Sequence, residues 1–316
     1  MKSIHRILAL AVLAGSLPAF ASTVAYWRFE EGPAGAPVPH GGAGDGVFYP
    51  GTADSSGNGN ELSVWAEGWA GYGYRTDVAA AVVPQTGNSN GFSVVNTGGY
   101  PAMFTETGTA LQSWSPAAWT IEAAFQLENG GYKTIVGRDS RGAYAGNLDL
   151  AALYLQQIPD NGLAIKFCDV SGYWHEAISA TGIVTGYDWG SDPTGSTGNW
   201  YGVAAVSDGS TLSLYLKNVE GGGNYELIAF TDMTTSGSPN TALTPGTGDG
   251  GDWDAGNFTV GRGLYAGGHG DRAYGFIDEV RLSDTALAPS QFLFVPEPTA
   301  ALLALPSLLV FFRRRR

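Results

Sequence analysis

The sequence predicts an all-β protein, a two-sheet antiparallel β-sandwich of the jelly-roll type. Three observations predict it. Short runs alternate apolar and polar residues with period two between clusters of Gly, Asn, Asp and Pro. No stretch sustains a 3.6-residue period. No helical pattern separates the strand-like runs, as a parallel α/β fold would require. The 316 residues are 44% hydrophobic, 12% aromatic and only 14% charged, with 47 Gly and 16 Pro. Such a chain can bury a large core and is too apolar to stay disordered.

Taken in order, the runs that read as strands are 24–29, 119–127, 134–137, 148–156, 163–168, 174–180, 200–207, 211–217, 225–231, 258–261 and 276–282. The clearest alternation sets Leu212, Leu214 and Leu216 against Ser213, Tyr215 and Lys217, one apolar face and one wetter face. Residues 148–155 are apolar on both faces apart from Asp149, which predicts a central strand. Residues 32–60 and 232–257 are dominated by Gly, Pro, Asn, Asp and Thr and read as long surface loops. No fixed-period repeat and no linker divides 22–291, so it reads as one domain.

The two ends read as targeting segments. Residues 1–21 carry Lys2, His5 and Arg6, a short apolar run, and Ala19-Phe20-Ala21 as a small-x-small cleavage site, the pattern of a secretory signal peptide. Residues 292–316 hold Val295-Pro296-Glu297-Pro298, an uncharged run from 299 to 312, and Arg313, Arg314, Arg315 and Arg316. Fourteen residues of helix rise about 21 Å, short of the roughly 30 Å hydrocarbon core. That order of motif, apolar run and arginine cluster resembles the PEP-CTERM sorting signal. The resemblance implies cleavage by an exosortase-type enzyme after signal peptidase has acted, and membrane contact only through this segment. An inner-membrane-tethered intermediate would then give a surface or extracellular protein.

Net charge is −13, and setting aside Lys2, Arg6 and the four terminal arginines leaves ten bases against 29 acids, or −19, for the body. Phosphate recognition needs clustered Lys and Arg, so a nucleic-acid partner is excluded.

A second resemblance rests on pieces spread through the body. Tyr26-Trp27-Arg28-Phe29-Glu30-Glu31-Gly32, the Asp54–Asn60 loop and Trp119-Thr120-Ile121-Glu122-Ala123 resemble the opening half of a LamG-like, concanavalin A-like lectin/glucanase jelly roll. Trp200-Tyr201-Gly202-Val203-Ala204 before Thr211–Tyr215, and Phe276-Ile277-Asp278-Glu279-Val280-Arg281-Leu282, resemble its later hairpin and closing strand. The resemblance implies that the first and last strands pair. Residues 62–99 form a Gly-aromatic insert that departs from the family. With Val280 and Leu282 in the core, period two also turns Asp278 inward, buried and satisfied by loop amides, an arginine or Ca2+.

Candidate chemistry is sparse. The Glu-x-Asp-x-x-Glu spacing of lectin-fold glucanases is absent, and the adjacent Asp278 and Glu279 should face opposite ways, so the chain does not read as a hydrolase. Gly87-Asn88-Ser89-Asn90-Gly91 lacks the helix of a nucleophile elbow, and Gly246–Gly251 lacks a βαβ setting. Four His and one Cys without paired spacing argue against zinc. Calcium suits Asp54, Asn58 and Asn60 with Asp278, or the 249–257 loop, although turn-forming Asp and Asn are the default explanation of both. Cys168 lacks a partner and should be buried.

Trp65, Trp69, Tyr72 and Tyr74 in the insert, with Trp253, offer ring faces suited to sugars, or else fold back and pack on themselves. The expected role is non-catalytic adhesion to, or organisation of, extracellular polysaccharide. The alternatives are a glycan hydrolase or lyase with a non-standard site, and a structural coat protein without a ligand.

Overall fold

The computed structural model describes residues 23–41, 50–67, 71–96, 98–141, 149–188, 198–248 and 255–296. Ala19, Ala21, Trp69, Trp253, Glu297, Pro298 and Arg313–Arg316 lie outside the described residues.

Among the described residues eighteen strands follow one another: β1 (Thr23–Trp27), β2 (Pro50–Thr52), β3 (Leu62–Glu67), β4 (Gly73–Arg75), β5 (Ser93–Asn96), β6 (Tyr100–Thr105), β7 (Ala118–Leu127), β8 (Lys133–Arg141) and β9 (Ala151–Ile158). After these come β10 (Gly162–Cys168), β11 (Trp174–Ile178), β12 (Tyr201–Asp208), β13 (Thr211–Asn218), β14 (Glu226–Asp232), β15 (Phe258–Val260), β16 (Gly263–Tyr265), β17 (Gly268–Gly270) and β18 (Gly275–Ser283). The first sheet runs β14-β13-β12-β7-β18-β5-β4, with β1 also on β18, and the second runs β11-β10-β9-β8-β15-β6-β3-β2. Every ladder is antiparallel, which gives the predicted sandwich. Among the described residues no helix is long and apolar enough to cross a membrane.

The terminal strands pair as expected, Tyr26 opposite Arg281 and Trp27 opposite Val280. Between the sheets, Trp27, Ile121, Phe125, Val203, Leu212, Leu214 and Leu282 meet Leu62, Val64, Leu153, Leu155, Ile165, Phe167 and Val260 in one buried core. Each such aliphatic or aromatic side chain contributes roughly 1.5–3 kcal/mol by leaving water. Cys168 is fully buried beside this core, and burial pushes its thiol up to about 12. Residues 151–156 of the 148–156 run lie in β9, inside the second sheet, with Leu153 and Leu155 facing inward.

The insert is not a surface loop. Residues 62–67 form β3 of the second sheet, while 73–75 and 93–96 form β4 and β5 of the first. Its Gly and Ala dilute the alternation on which strand recognition depends. Tyr72 and Tyr74 are 2% and 1% exposed. Burial raises both hydroxyls above the ordinary phenol range, and they lie against the carbonyls of Val260 and Gly51. They cannot offer ring faces to a glycan, and the self-packing alternative holds for these two.

The outer face of the first sheet is covered by a further layer. The 77–92 loop contributes Ala79 and Val83, and the chain after β18 returns as a strap with Leu293 and Phe294 fully buried over Ala124, Trp200 and Phe276, and Phe292 over Ala204 and Val206. Polar bonds stitch the strap down: Leu293 N donates to Glu122 Oε1 at 2.8 Å, Arg281 Nη2 to Gln291 O at 2.9 Å, and Lys217 Nζ to Phe294 O at 2.7 Å.

Asp278 is buried as expected, but on the other face. A bulge between Asp278 and Arg281, with Glu279 at φ 50°, adds a residue to β18, so Asp278 falls opposite Ala124 on the outer side while Val280 and Leu282 stay inward. A bulge shifts the two-residue period by one, which a single sequence does not reveal. The same shift places Glu279 beside Tyr26 and Arg28 on that face, so the two adjacent carboxylates do not face opposite ways.

Candidate functional site

The strap and the 77–92 loop cover the middle strands of the first sheet, and the outer face of the second sheet carries a groove. Alternation along β9 sends Leu153 and Leu155 inward and Tyr154 and Gln156 outward, and register places Lys166 of β10 opposite Tyr154 and Glu176 of β11. Trp174, two residues before Glu176, shares that face. Tyr132, Leu150, Tyr265 and Asp271 complete the lining of a groove of about 450 Å3. That volume lies within the range of small-ligand sites.

The walls are held by backbone geometry. The β16–β17 hairpin turns through Ala266 and Gly267, both at positive φ (51° and 74°), the primed turn whose twist suits a two-residue hairpin. Gly263 packs so close to Thr134 that a Cβ there would collide with its hydroxyl, which seats the hairpin on β8. Tyr154 OH donates to Leu264 O and accepts from Ala151 N, so its ring is a fixed floor, with Trp174 edge-on at 6.2 Å between centroids. Tyr132 and Tyr265 are 51% and 58% exposed on the rim.

The polar groups are less committed. Thr134 Oγ1 donates to Gln156 Oε1 at 3.5 Å, which leaves the Gln156 Nε2 for a ligand. Asp271 adopts φ 49°, and burial raises its carboxyl above the usual range while the nearby Lys166 charge pulls it back. Tyr and Trp rings, one ammonium, one carboxyl and one amide can stack on an apolar ring face and bond hydroxyls around its edge.

The other candidates lie elsewhere. Trp65 is half-buried on β3, on the outer face by alternation with Val64, three strands beyond β8 and outside the groove. Asp54 Oδ1 accepts from Tyr26 N and Ser56 N, and its Oδ2 from Asn60 N. Asn58 and Asn60 donate their side-chain amides to carbonyls of Thr23 and Val24. These three tie a loop to β1, whereas Asp278 accepts from Asn90 Nδ2 at 2.7 Å and Ala79 N at 3.4 Å. The four are thus divided between two places. Among the described residues no group of three or more His, Cys, Asp or Glu could hold a metal.

A Ser/His/Asp set occurs at Ser238, His175 and Asp169. There the aspartate accepts from both partners, with His175 Nε2 at 2.8 Å and Ser238 Oγ at 2.5 Å, and the histidine does not bond the serine. A nucleophile needs the base beside it, so this set is structural.

The groove residues Tyr154, Gln156, Lys166, Trp174, Tyr265 and Asp271 were not singled out in the sequence. Their signal is polar-aromatic residues at outward positions of consecutive strands, which becomes legible only once register is known.

The buried carboxyls give a pH prediction. Burial raises Asp278 well above the usual range, with the Glu279 charge adding to it, and burial also raises Glu122 despite Arg281. The native state then binds these protons more tightly than the unfolded chain, whose carboxyls titrate near 4. Their stabilisation is complete below that and is lost as pH rises through the native values. Thermal melts should therefore show a higher Tm near pH 5 than near pH 8, with a shallower decline in Asp278→Asn. A Tm that climbs steadily from pH 5 to 8 contradicts this.

No protein-family model and no curated protein sequence matches the chain. Among solved structures it is similar to a leech intramolecular trans-sialidase complexed with 2,7-anhydro-Neu5Ac, at 16% identity and TM-score 0.43, over 60% of this chain and 24% of that one. It is also similar to the Ruminococcus gnavus IT-sialidase CBM40 bound to alpha2,6 sialyllactose, at 14% identity and TM-score 0.41, over 58% and 84%. A third is the binding domain of botulinum neurotoxin serotype D, at 12% identity and TM-score 0.43, over 85% and 49%. The chain spans about a quarter of the leech enzyme's length and about half that of the toxin domain.

Proposed function

We propose that this chain is a non-catalytic carbohydrate-binding sandwich, exported to adhere to or organise extracellular polysaccharide. The observation that carries the reading is the groove on the second sheet, where Tyr132, Tyr154, Trp174 and Tyr265 surround Gln156, Lys166 and Asp271. Among its lining residues Asp271 is the single carboxylate, whereas glycoside hydrolysis by the usual route needs two across one bond.

Export is supported by the exposure of the start of the sorting motif. Val295 N–H donates to Phe292 O at 3.0 Å, which ties the motif's first residue to the strap, and Pro296 is exposed, open to a sorting enzyme. Mass spectrometry of the mature protein should find ends near Ser22 and Pro296.

The binding test is a panel of neutral and acidic polysaccharides. Trp174→Ala should weaken any specific binding by about tenfold or more, since a stacked ring is worth roughly 1–3 kcal/mol. Trp65→Ala should leave it unchanged. Release of reducing ends or of unsaturated products during the same incubation would turn the reading to a hydrolase or lyase. Saturable binding to no glycan would leave the coat-protein alternative.

A further inference from the structure

We infer that the groove takes an uncharged glycan rather than a uronic-acid or amino-sugar polymer. This deepens, and rests on, the carbohydrate-binding reading above. Lys166 lies between carboxylates, Asp271 in the groove lining and Glu176 directly across the β10–β11 ladder, where Glu176 accepts from Trp174 Nε1 at 3.3 Å, so the ammonium is already offset and an uncharged sugar finds both a donor and an acceptor in place. The Gln156 Nε2 adds a neutral donor, and the four rings add apolar faces. This set bonds hydroxyls on both edges of a ring while stacking on its face.

A carboxylate on the sugar disturbs that balance. Drawing Lys166 to itself, it would leave Asp271 largely buried without the cation that lowers its proton affinity; lying beside Asp271, it would set two like charges together. Against a polyanion the long-range field acts the same way, because the body carries ten bases against 29 acids and repels it before contact, whereas a cationic polymer is drawn in and discriminated only at the groove. An ammonium on the sugar meets Lys166 in the groove instead. The burial that raises the Asp271 carboxyl agrees with a site that disfavours net charge.

The test is calorimetric titration of the full chain with neutral gluco-, manno- and galacto-oligosaccharides, with uronic-acid oligosaccharides and with glucosamine oligosaccharides, each at low and high salt. Neutral binding should change by less than about twofold with salt, because no ion pair with the ligand is screened. The charged series should bind at least about tenfold more weakly. Lys166→Met and Asp271→Asn should each weaken neutral binding by about tenfold, the effect of losing a hydrogen bond to a charged group. Tyr265→Ala, at an exposed rim position that the fold tolerates, supplies a control for the groove itself.

Tighter binding of either charged series, lost in Tyr265→Ala, overturns the inference and keeps the groove. A change of less than about twofold in neutral binding in both Lys166→Met and Asp271→Asn also overturns it. Binding of no glycan, or binding unchanged in both Tyr265→Ala and Trp174→Ala, overturns the carbohydrate reading itself.

Discussion

Arg138→Ala should lower the Tm by roughly 10–15 °C. The side chain is fully buried, stacks on Phe258 with its guanidinium carbon 4.8 Å from the ring centre, and has no carboxylate partner among the described residues. Its nitrogens donate instead to five carbonyls: Gly256, Trp114, Thr244, Leu111 and Gln112. Three of these carbonyls belong to the 3-10 turn Ala110–Ser113 and the residue that follows it, and the others to loops before β15. One cation thus knots three otherwise separate segments to β8. Burial pulls its pKa down to about 9, so it stays charged at neutral pH.

Removing Arg138 strands several buried acceptors at about 1–3 kcal/mol each, partly recovered if water enters. A net loss of about 4–5 kcal/mol is expected, and at about 2–4 °C per kcal/mol for a body of this size it gives the stated shift. Arg138→Lys keeps the charge but has three donors in place of a planar fork of five, so it should recover about half. Differential scanning calorimetry of the three proteins measures this, and a loss below about 3 °C for Arg138→Ala would show that the carbonyls find other donors.

The second large effect is expected in the strap. Phe292 is fully buried between Tyr215 and Tyr225, with ring centroids at 5.4 Å and 4.9 Å. Phe292→Ala should cost about 3–5 kcal/mol in urea unfolding, the range for truncating a buried aromatic ring. Ending the chain after Leu287 should cost more. It bares Trp200 and Phe276 and removes the Leu293 amide from Glu122, whose bonds to Arg281 then face water. Because the groove lies on the other sheet, Phe292→Ala should bind glycan normally at temperatures where it is folded. A truncated chain that melts like the intact one would show that the strap covers the sheet without stabilising it.

The sandwich was legible because most strands carry strong alternation, as in Leu212, Leu214 and Leu216 of β13, and because β1 and β18 carry the aromatic and charged pattern of closing strands. Burial of Asp278 was also legible; its face was not, since one bulge reverses the parity of everything before it. The insert misled through composition. Gly and Ala between Trp65 and Tyr74 look like a flexible display of rings, yet small residues also let Tyr72 and Tyr74 sink into a core. The groove was the least legible part. Tyr154, Lys166 and Trp174 are scattered in sequence and meet only through the pairing of β9, β10 and β11, and the run 148–155 looked apolar on both faces because a tyrosine reads equally as core or as binding surface.

The pairing of β1 with β18 joins residues about 255 positions apart, Thr23 with Ser283 and Trp27 with Val280. A ribosome has therefore made nearly the whole body before the first strand meets its neighbour, so this sheet cannot complete itself until β18 has been synthesised. Ladders between distant segments carry high contact order and form slowly. The chain should consequently remain threadable for an extended interval after translation, and refolding from denaturant should be limited by the union of its two ends.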